Sequence, residues 1–214
     1  MADKNFKVKN GIEIGTHALE NSSIVYSPAT GTINFDTVTS SILYYTNSAS
    51  GNWTLNVRGN SSTTLSSLLS IGQTITVVFM ATQGATAFFP TAFQIDGVNV
   101  APEWQGGSAP TSGNSAQIDV YSYSIIKTAA TSASATATGT SGTTTITTSA
   151  VASGTIAVGQ IVSGTGIAGN AIVTAVSGTA PNQTVTLSVA NTGTVSGSIT
   201  FTPYIVFASQ TGFA

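Results

Sequence analysis

The chain has 214 residues, of which 41% are hydrophobic and only 6% charged, with no Cys and a formal net charge of −2. This composition excludes a disulfide framework and thiolate chemistry, disorder of the low-hydrophobicity, high-charge kind, and the basic patch that nucleic acid requires. It leaves the surface to hydroxyls, amides and backbone, which repel other copies only weakly, as suits a subunit fixed in a larger assembly.

The length predicts one or two domains. Half of the twelve formal charges fall within residues 1–20: Asp3, Lys4, Lys7, Lys9, Glu13 and Glu20. Phe6, Val8, Ile12 and Ile14 alternate with polar residues around Asn10-Gly11, a hairpin signal, so a short β-arm is expected within a segment spanning 1–22. The start lacks the apolar stretch of a signal peptide. The longest apolar run, Val77–Ala81, is far short of the roughly 20 residues of a spanning helix, and no membrane insertion is expected.

From Ser23 the chain predicts strands: 24–27, a turn cluster at Ser27-Pro28-Ala29-Thr30-Gly31, then 32–36, 42–46 and 53–58, with a loop at Asn47–Asn52. In WTLNVR, Trp53, Leu55 and Val57 share one face and Thr54, Asn56 and Arg58 the other, as a period of two requires. Residues 63–71 (TTLSSLLSI) predict a helix capped by Thr63 or Thr64, with Leu65, Leu68 and Leu69 on one face and Gly72 beyond its end. Residues 74–81 predict a strong strand, 87–89 and 93–95 a further pair around Pro90, Asp96-Gly97 a hairpin turn, and 117–127 the longest clean strand.

Lys127 is the last charge, and the following 87 residues contain no Asp, Glu, Lys or Arg. Between 131 and 202 the composition shifts to Ser, Thr, Gly, Ala and Val, and five strands are expected, within TTTITTSAV, TIAVGQIV, AIVTAVS, QTVTLSVA and SGSITFT. Residues 204–208 (YIVFA) return to the earlier style, so 121–127 and 204–208 read as two halves of one hairpin with a module inserted at its tip. Loop closure grows slowly in entropic cost with length, which makes such insertions tolerable. The expected architecture is all-β: an antiparallel β-sandwich-like domain over 23–130 plus 203–214, an N-terminal arm over 1–22, and a small inserted β module over 131–202.

Little in the chain points to catalysis. Gly164, Gly166 and Gly169 match G-x-G-x-x-G, but AIVTAV follows where a helix is needed and no acid lies downstream, so a turn is expected. His17 is the only His, which leaves no His-containing triad and no multi-His metal cage. Of the acids beyond the arm, Asp36 ends a strand, Asp96 serves a turn, and Asp119 is expected to pair with Lys127 or Arg58. Glu103 beside Trp104 is the one pairing of carboxylate and indole that suits carbohydrate, and Trp104 is the candidate glycan contact. Asn-x-Ser/Thr sequons at Asn21, Asn52, Asn60 and Asn182 are the number that chance gives in so Ser/Thr-rich a chain. No enzyme activity, catalytic residue, metal or cofactor is expected.

The opening ADKNFKVKNGIEIG resembles the starts of structural proteins of tailed phages, particularly marine and cyanobacterial ones. The stretch from NFDTVTSS to VVFMATQG, AFQIDGVNVAPEWQGGSAPTSG and the ending YIVFASQTGFA resemble a β domain of virion and tail-fibre proteins, and IAVGQIVSGTGI with AIVTAVSG is similar to small β modules of phage structural and bacterial surface proteins. The resemblance implies a virion component: a tail-fibre or appendage subunit that assembles as a homo-oligomer, most simply a trimer, on the particle surface. It brings no catalytic residues. Within it the arm, through Phe6, Lys7, Val8, Lys9 and Ile12, is expected to dock on other virion proteins. The alternatives are a head decoration protein and a receptor-binding adhesin that recognises host surface glycan through Trp104.

Overall fold

The computed structural model describes residues 20–214. The docking residues expected in the arm, Phe6, Lys7, Val8, Lys9 and Ile12, lie outside the described residues.

Six strands open the fold: β1 (Ser22–Pro28), β2 (Gly31–Asp36), β3 (Ile42–Asn47), β4 (Trp53–Arg58), β5 (Thr74–Thr82) and β6 (Pro90–Ile95). They are laid down alternately in two sheets. β1, β3 and β5 lie side by side and parallel in one, and β2, β4 and β6 do the same in the other. The chain therefore winds through three turns of a flattened coil. It then adds β7 (Val98–Asn99), β8 (Glu103–Trp104), β9 (Ile118–Lys127) and, after a long excursion, β16 (Tyr204–Phe213). The finished sheets have the orders β1-β3-β5-β9-β16-β8 and β2-β4-β6-β7.

The architecture is all-β and sandwich-like, but the antiparallel expectation needs correction. Only β5–β9, β9–β16 and β6–β7 are antiparallel within this part of the chain; the remaining neighbours, including β16–β8, run parallel. The cause is the path of the chain at Ser27–Gly31. That cluster carries the chain across from one sheet to the other instead of folding it back beside itself, so strands in the same sheet point the same way. In–out alternation has the same period in parallel and antiparallel strands, and periodicity alone does not reveal the difference. Where a hairpin does form, at Asp96-Gly97, both residues adopt positive φ (51° and 80°) and Ile95 faces Val98, as a tight primed turn requires.

Inward-facing positions of both sheets make one core. Trp53 lies 5.5 Å from Phe79 and 5.9 Å, edge-on, from Tyr121, while Phe93 stacks on Tyr123 at 4.6 Å. Trp53, Phe79, Tyr121 and Tyr123 are fully buried, and each such side chain contributes on the order of 1.5–3 kcal/mol from burial, with ring pairs adding about 0.5–1.5 kcal/mol.

The expected helix shrinks to one turn, α1 (Leu65–Leu68), capped by Thr64, whose side chain accepts from the Ser67 N–H. Four residues do not make a stable helix unaided, and two charges clamp this one. The Leu65 and Ser66 N–H groups donate to Asp96 Oδ1 and Oδ2 at 2.7 and 2.9 Å. At the other end the buried Lys127 Nζ donates to the carbonyls of Ser66 (2.6 Å) and Leu69 (3.0 Å). Lys127 is therefore not the partner of Asp119, and neither is Arg58, which bonds Asp36 at 2.7 Å across the β2–β4 pair. Asp119 instead accepts from Gln83 Nε2 (2.9 Å) and Asn114 Nδ2 (2.5 Å). The buried carboxylate is thus satisfied by fixed neutral donors, one of them, Asn114, in the adjoining loop and the other, Gln83, 36 residues away just past the end of β5.

Residues 133–202 close into a separate barrel of six antiparallel strands: β10 (Ala133–Thr138), β11 (Thr145–Gly154), β12 (Ile161–Ser163), β13 (Ala171–Thr179), β14 (Asn182–Leu187) and β15 (Ser198–Thr202), in the order β10-β11-β14-β13-β12-β15. Its core of Ile146, Val162, Val173, Val185, Leu187, Ile199 and Phe201 is distinct from that of the sandwich. The sixth strand, β10, is the one the sequence did not announce. Its inward residues are Ala133, Ala135 and Ala137, all buried, because the interior of so small a barrel has no room for larger side chains all round. The glycine motif is a turn, with Gly164 and Gly166 at φ 150° and 80° before β13, a strand rather than a helix.

Two outcomes are expected. Replacing 131–202 with a short Gly-Ser turn leaves the sandwich folded, with a single cooperative transition in scanning calorimetry; a broad, non-cooperative melt contradicts this. Lys127→Met leaves two buried carbonyls unpaired and lowers stability by about 1–3 kcal/mol, read as a fall of several degrees in Tm with unchanged far-UV circular dichroism.

Candidate functional site

The strands bring the candidate Trp104 to the end of the six-stranded sheet, where β8 pairs in parallel with β16 and Trp104 lies opposite Ala208. Ala208 is buried, so Trp104 turns inward and Glu103, opposite the exposed Phe207, turns outward. The half-buried indole meets Tyr123 at 5.9 Å and Tyr121 at 6.5 Å, both edge-on. It closes the open side of the aromatic core. The part of the ring that stays open lines a shallow depression of about 400 Å³ with Gln105, Ser108, Pro110, Gln210 and Thr211. Glu103 and Trp104 are thus neighbours in sequence that face opposite sides of the sheet.

A second concavity, of about 410 Å³, lies where the sandwich meets the barrel, between Ser66, Asp96, Val98 and Val100 on one side and Ser132, Gly154 and Thr202 on the other. Tyr204 lines it, and its hydroxyl is buried without a hydrogen-bond partner. Burial pushes that hydroxyl's pKa up; the neighbouring Ser66 side chain opposes the shift and the Asp96 charge adds to it. Burial likewise raises Tyr121, to which the nearby Asp119 charge adds, and Tyr123. These phenols stay neutral through the physiological range and serve as core rings rather than as bases. Periodicity gave no sign of this concavity, since its walls come from five separate segments of the chain.

Among the described residues, no group of three or more His, Cys, Asp or Glu is placed to hold a metal ion, and no helix is long and apolar enough to cross a membrane. The acids are committed locally: Asp36 to Arg58, Asp96 to α1, and Asp119 to Gln83 and Asn114. Gly113 packs so closely on Phe88, Gln83 and Asp119 that no side chain fits there.

The largest feature is the outer face of the six-stranded sheet. The register places Ile24 of β1, Ile42 and Tyr44 of β3, Val78 and Met80 of β5, Ile118 and Val120 of β9, and Phe207 and Phe213 of β16 on the side away from the core, and Tyr26 follows in β1 where the register with β3 shifts. Their inward neighbours Leu43, Phe79, Tyr121 and Val206 are buried, whereas Tyr26 is 78% exposed and Phe213 58%. The signal for this face was partly present in the sequence: Val78 and Met80 in TITVVFMA (74–81), and Ile118, Val120 and Ile126 in QIDVYSYSIIK (117–127), are apolar at outward positions, beside the outward Thr74, Thr76, Ser122 and Ser124.

Comparison of the chain with protein-family models, with curated proteins and with solved structures finds no match.

Trp104→Ala removes the ring that closes the core and is expected to cost about 2–3 kcal/mol, seen as a lower Tm by circular dichroism, while Trp104→Phe retains most of the stability. An unchanged Tm for Trp104→Ala means that the indole is displayed rather than packed.

Proposed function

We propose that this chain is a structural subunit of a tailed-phage particle, a tail-fibre or other appendage subunit that assembles as a homo-oligomer, most simply a trimer, at the particle surface. The observation that carries the reading is the closed barrel set on the end of the β9–β16 ladder, where Tyr204 faces Lys127. A self-contained module at a strand tip is the form of a part made to project from a base. Its outward side chains include Thr145, Thr147, Thr174, Ser177 and Thr184, a surface of hydroxyls and methyls without charge. The resemblance of the N-terminal and β-domain stretches to virion proteins points the same way. In this reading residues 1–20, with half of the chain's formal charge, attach the subunit to other virion proteins, and the sandwich carries the contacts between copies.

A second reading, a glycan-recognising adhesin, is favoured by one arrangement: the open part of Trp104 beside the amides of Gln105 and Gln210. An indole with flanking amides suits a sugar ring, whose C–H face packs on the aromatic and whose hydroxyls bond the amides.

Antibody raised against this chain is expected to label purified phage particles at the tail in negative-stain images. Labelling confined to the head selects the decoration alternative, and absence of label from particles that contain the gene overturns the reading. The chain lacking residues 1–20 is expected to keep its Tm and oligomeric state but to be missing from particles. Saturable binding to a glycan array that Trp104→Phe preserves and Trp104→Ala abolishes selects the adhesin.

A further inference from the structure

We infer that the outer face of the six-stranded sheet is the surface on which a second copy of this chain docks, an inference that rests on the self-assembling role proposed above. Four observations carry it.

The face is large and rich in apolar side chains, which stand among Thr74, Thr76, Ser122, Ser124 and Ser209. Five strands, β8 having only two residues, at ~4.8 Å spacing and roughly 20–30 Å long make a footprint on the order of 500–700 Å². As a whole that footprint approaches the ~800 Å² that each partner buries in a stable interface.

It is also almost without charge. Lys127 and Asp119 turn into the core, and Glu103, at the β8 edge, is the only charged side chain that the strands of this sheet turn outward. A face without charge meets its own copy without like-charge repulsion, which is what a self-contact requires and what a charged partner does not exploit.

Several of its hydroxyls are paired within the face. Tyr44 and Thr82 share a hydrogen bond at 3.2 Å, and Thr76 and Ser124 one at 3.1 Å. Covering them leaves those hydroxyls paired, so desolvation costs little.

Finally, the occupant must be as wide as a sheet. Residues 1–19 carry five formal charges, and an extended segment is only ~4.8 Å wide in the direction across strands. Such a segment cannot cover six strands and brings charge to an apolar surface. A second sheet of the same kind covers the whole width, packed face to face at about 10 Å; such a contact is isologous and joins copies in pairs, so a three-fold contact uses another surface of the sandwich.

The test is sedimentation velocity and equilibrium of the full chain across micromolar concentrations. Wild type is expected to be oligomeric, with association little changed by salt because there is little charge to screen. Tyr26→Glu and Phe207→Glu, at opposite margins of the face and exposed enough to leave folding intact, are each expected to raise the Kd at least a hundredfold. Thr32→Glu, on the outer side of the four-stranded sheet, is expected to leave it unchanged. A readout without variants runs alongside: hydroxyl-radical footprinting of wild type, in which Tyr26, Met80 and Phe207 gain protection as concentration rises. If the chain is oligomeric but the Tyr26 and Phe207 variants associate normally, or the footprint falls elsewhere, this assignment of the face is overturned while the self-assembling role stands. If wild type is monomeric throughout, both fall.

Discussion

The antiparallel ladder between β9 and β16 is the contact on which the rest of the structure depends. It runs without a break from Lys127 opposite Tyr204 to Ile118 opposite Phe213. On its free side β9 pairs with β5, the last turn of the parallel coil, so one ladder ties the C-terminal strand to the first hundred residues of the chain. Its inward residues Tyr121, Tyr123, Val206 and Ala208 form the floor on which Trp53, Phe93 and Trp104 pack. Its far end is where the barrel begins and ends. Loss of this ladder would separate the sandwich from its closing strand and the barrel from its base.

Scarcity of charge shapes the energetics. Where a typical domain spreads charge over its surface, most of the charges described here have an internal task. Asp96 and Lys127 hold the two ends of α1, which is too short to persist without them. Asp119 organises the loop around Gln83 and Asn114. Arg58 and Asp36 bond side by side at matching positions of β4 and β2; they are partly exposed, and such a pair adds at most about 1 kcal/mol. Their contribution lies more in orientation than in stability. What remains for the surface is hydroxyl, amide and hydrocarbon, and the distribution is uneven. The barrel shows Thr and Ser outward, whereas the six-stranded sheet shows Ile, Tyr, Val, Met and Phe among its Thr and Ser. Hydroxyls and exposed hydrocarbon are thus concentrated in different parts of one chain.

The two modules differ in how they fill their cores, for a reason of size. The sandwich has width for Trp53, Phe79 and two buried tyrosines. The barrel, closed by six strands, combines Ala on β10 with Ile, Val, Leu, one further Ala and a single Phe elsewhere. Small and large side chains opposite one another are what a narrow closed sheet accommodates, and the near absence of aromatics between 131 and 202 reflects that limit.

Much of this was legible in residue order. Alternation placed nearly every strand, Asp96-Gly97 announced its hairpin, and the change of composition after Lys127 marked a part with its own style. Alternation also set which side chains of each strand share a face, because successive Cβ atoms must point to opposite sides. Where those faces meet was settled only by the folded chain. Whether the turn at Ser27–Gly31 folds a strand back or carries it across depends on which sheet offers a partner, and that partner is supplied by residues 20 to 36 positions away. The same holds for β10, whose alanines become a strand only when a barrel closes on them, and for the partners of Lys127 and Asp119. Period and composition act locally and were set by residue order; pairing direction, charge partners and the outward apolar face arise from contacts distant in sequence, which only the tertiary structure decided.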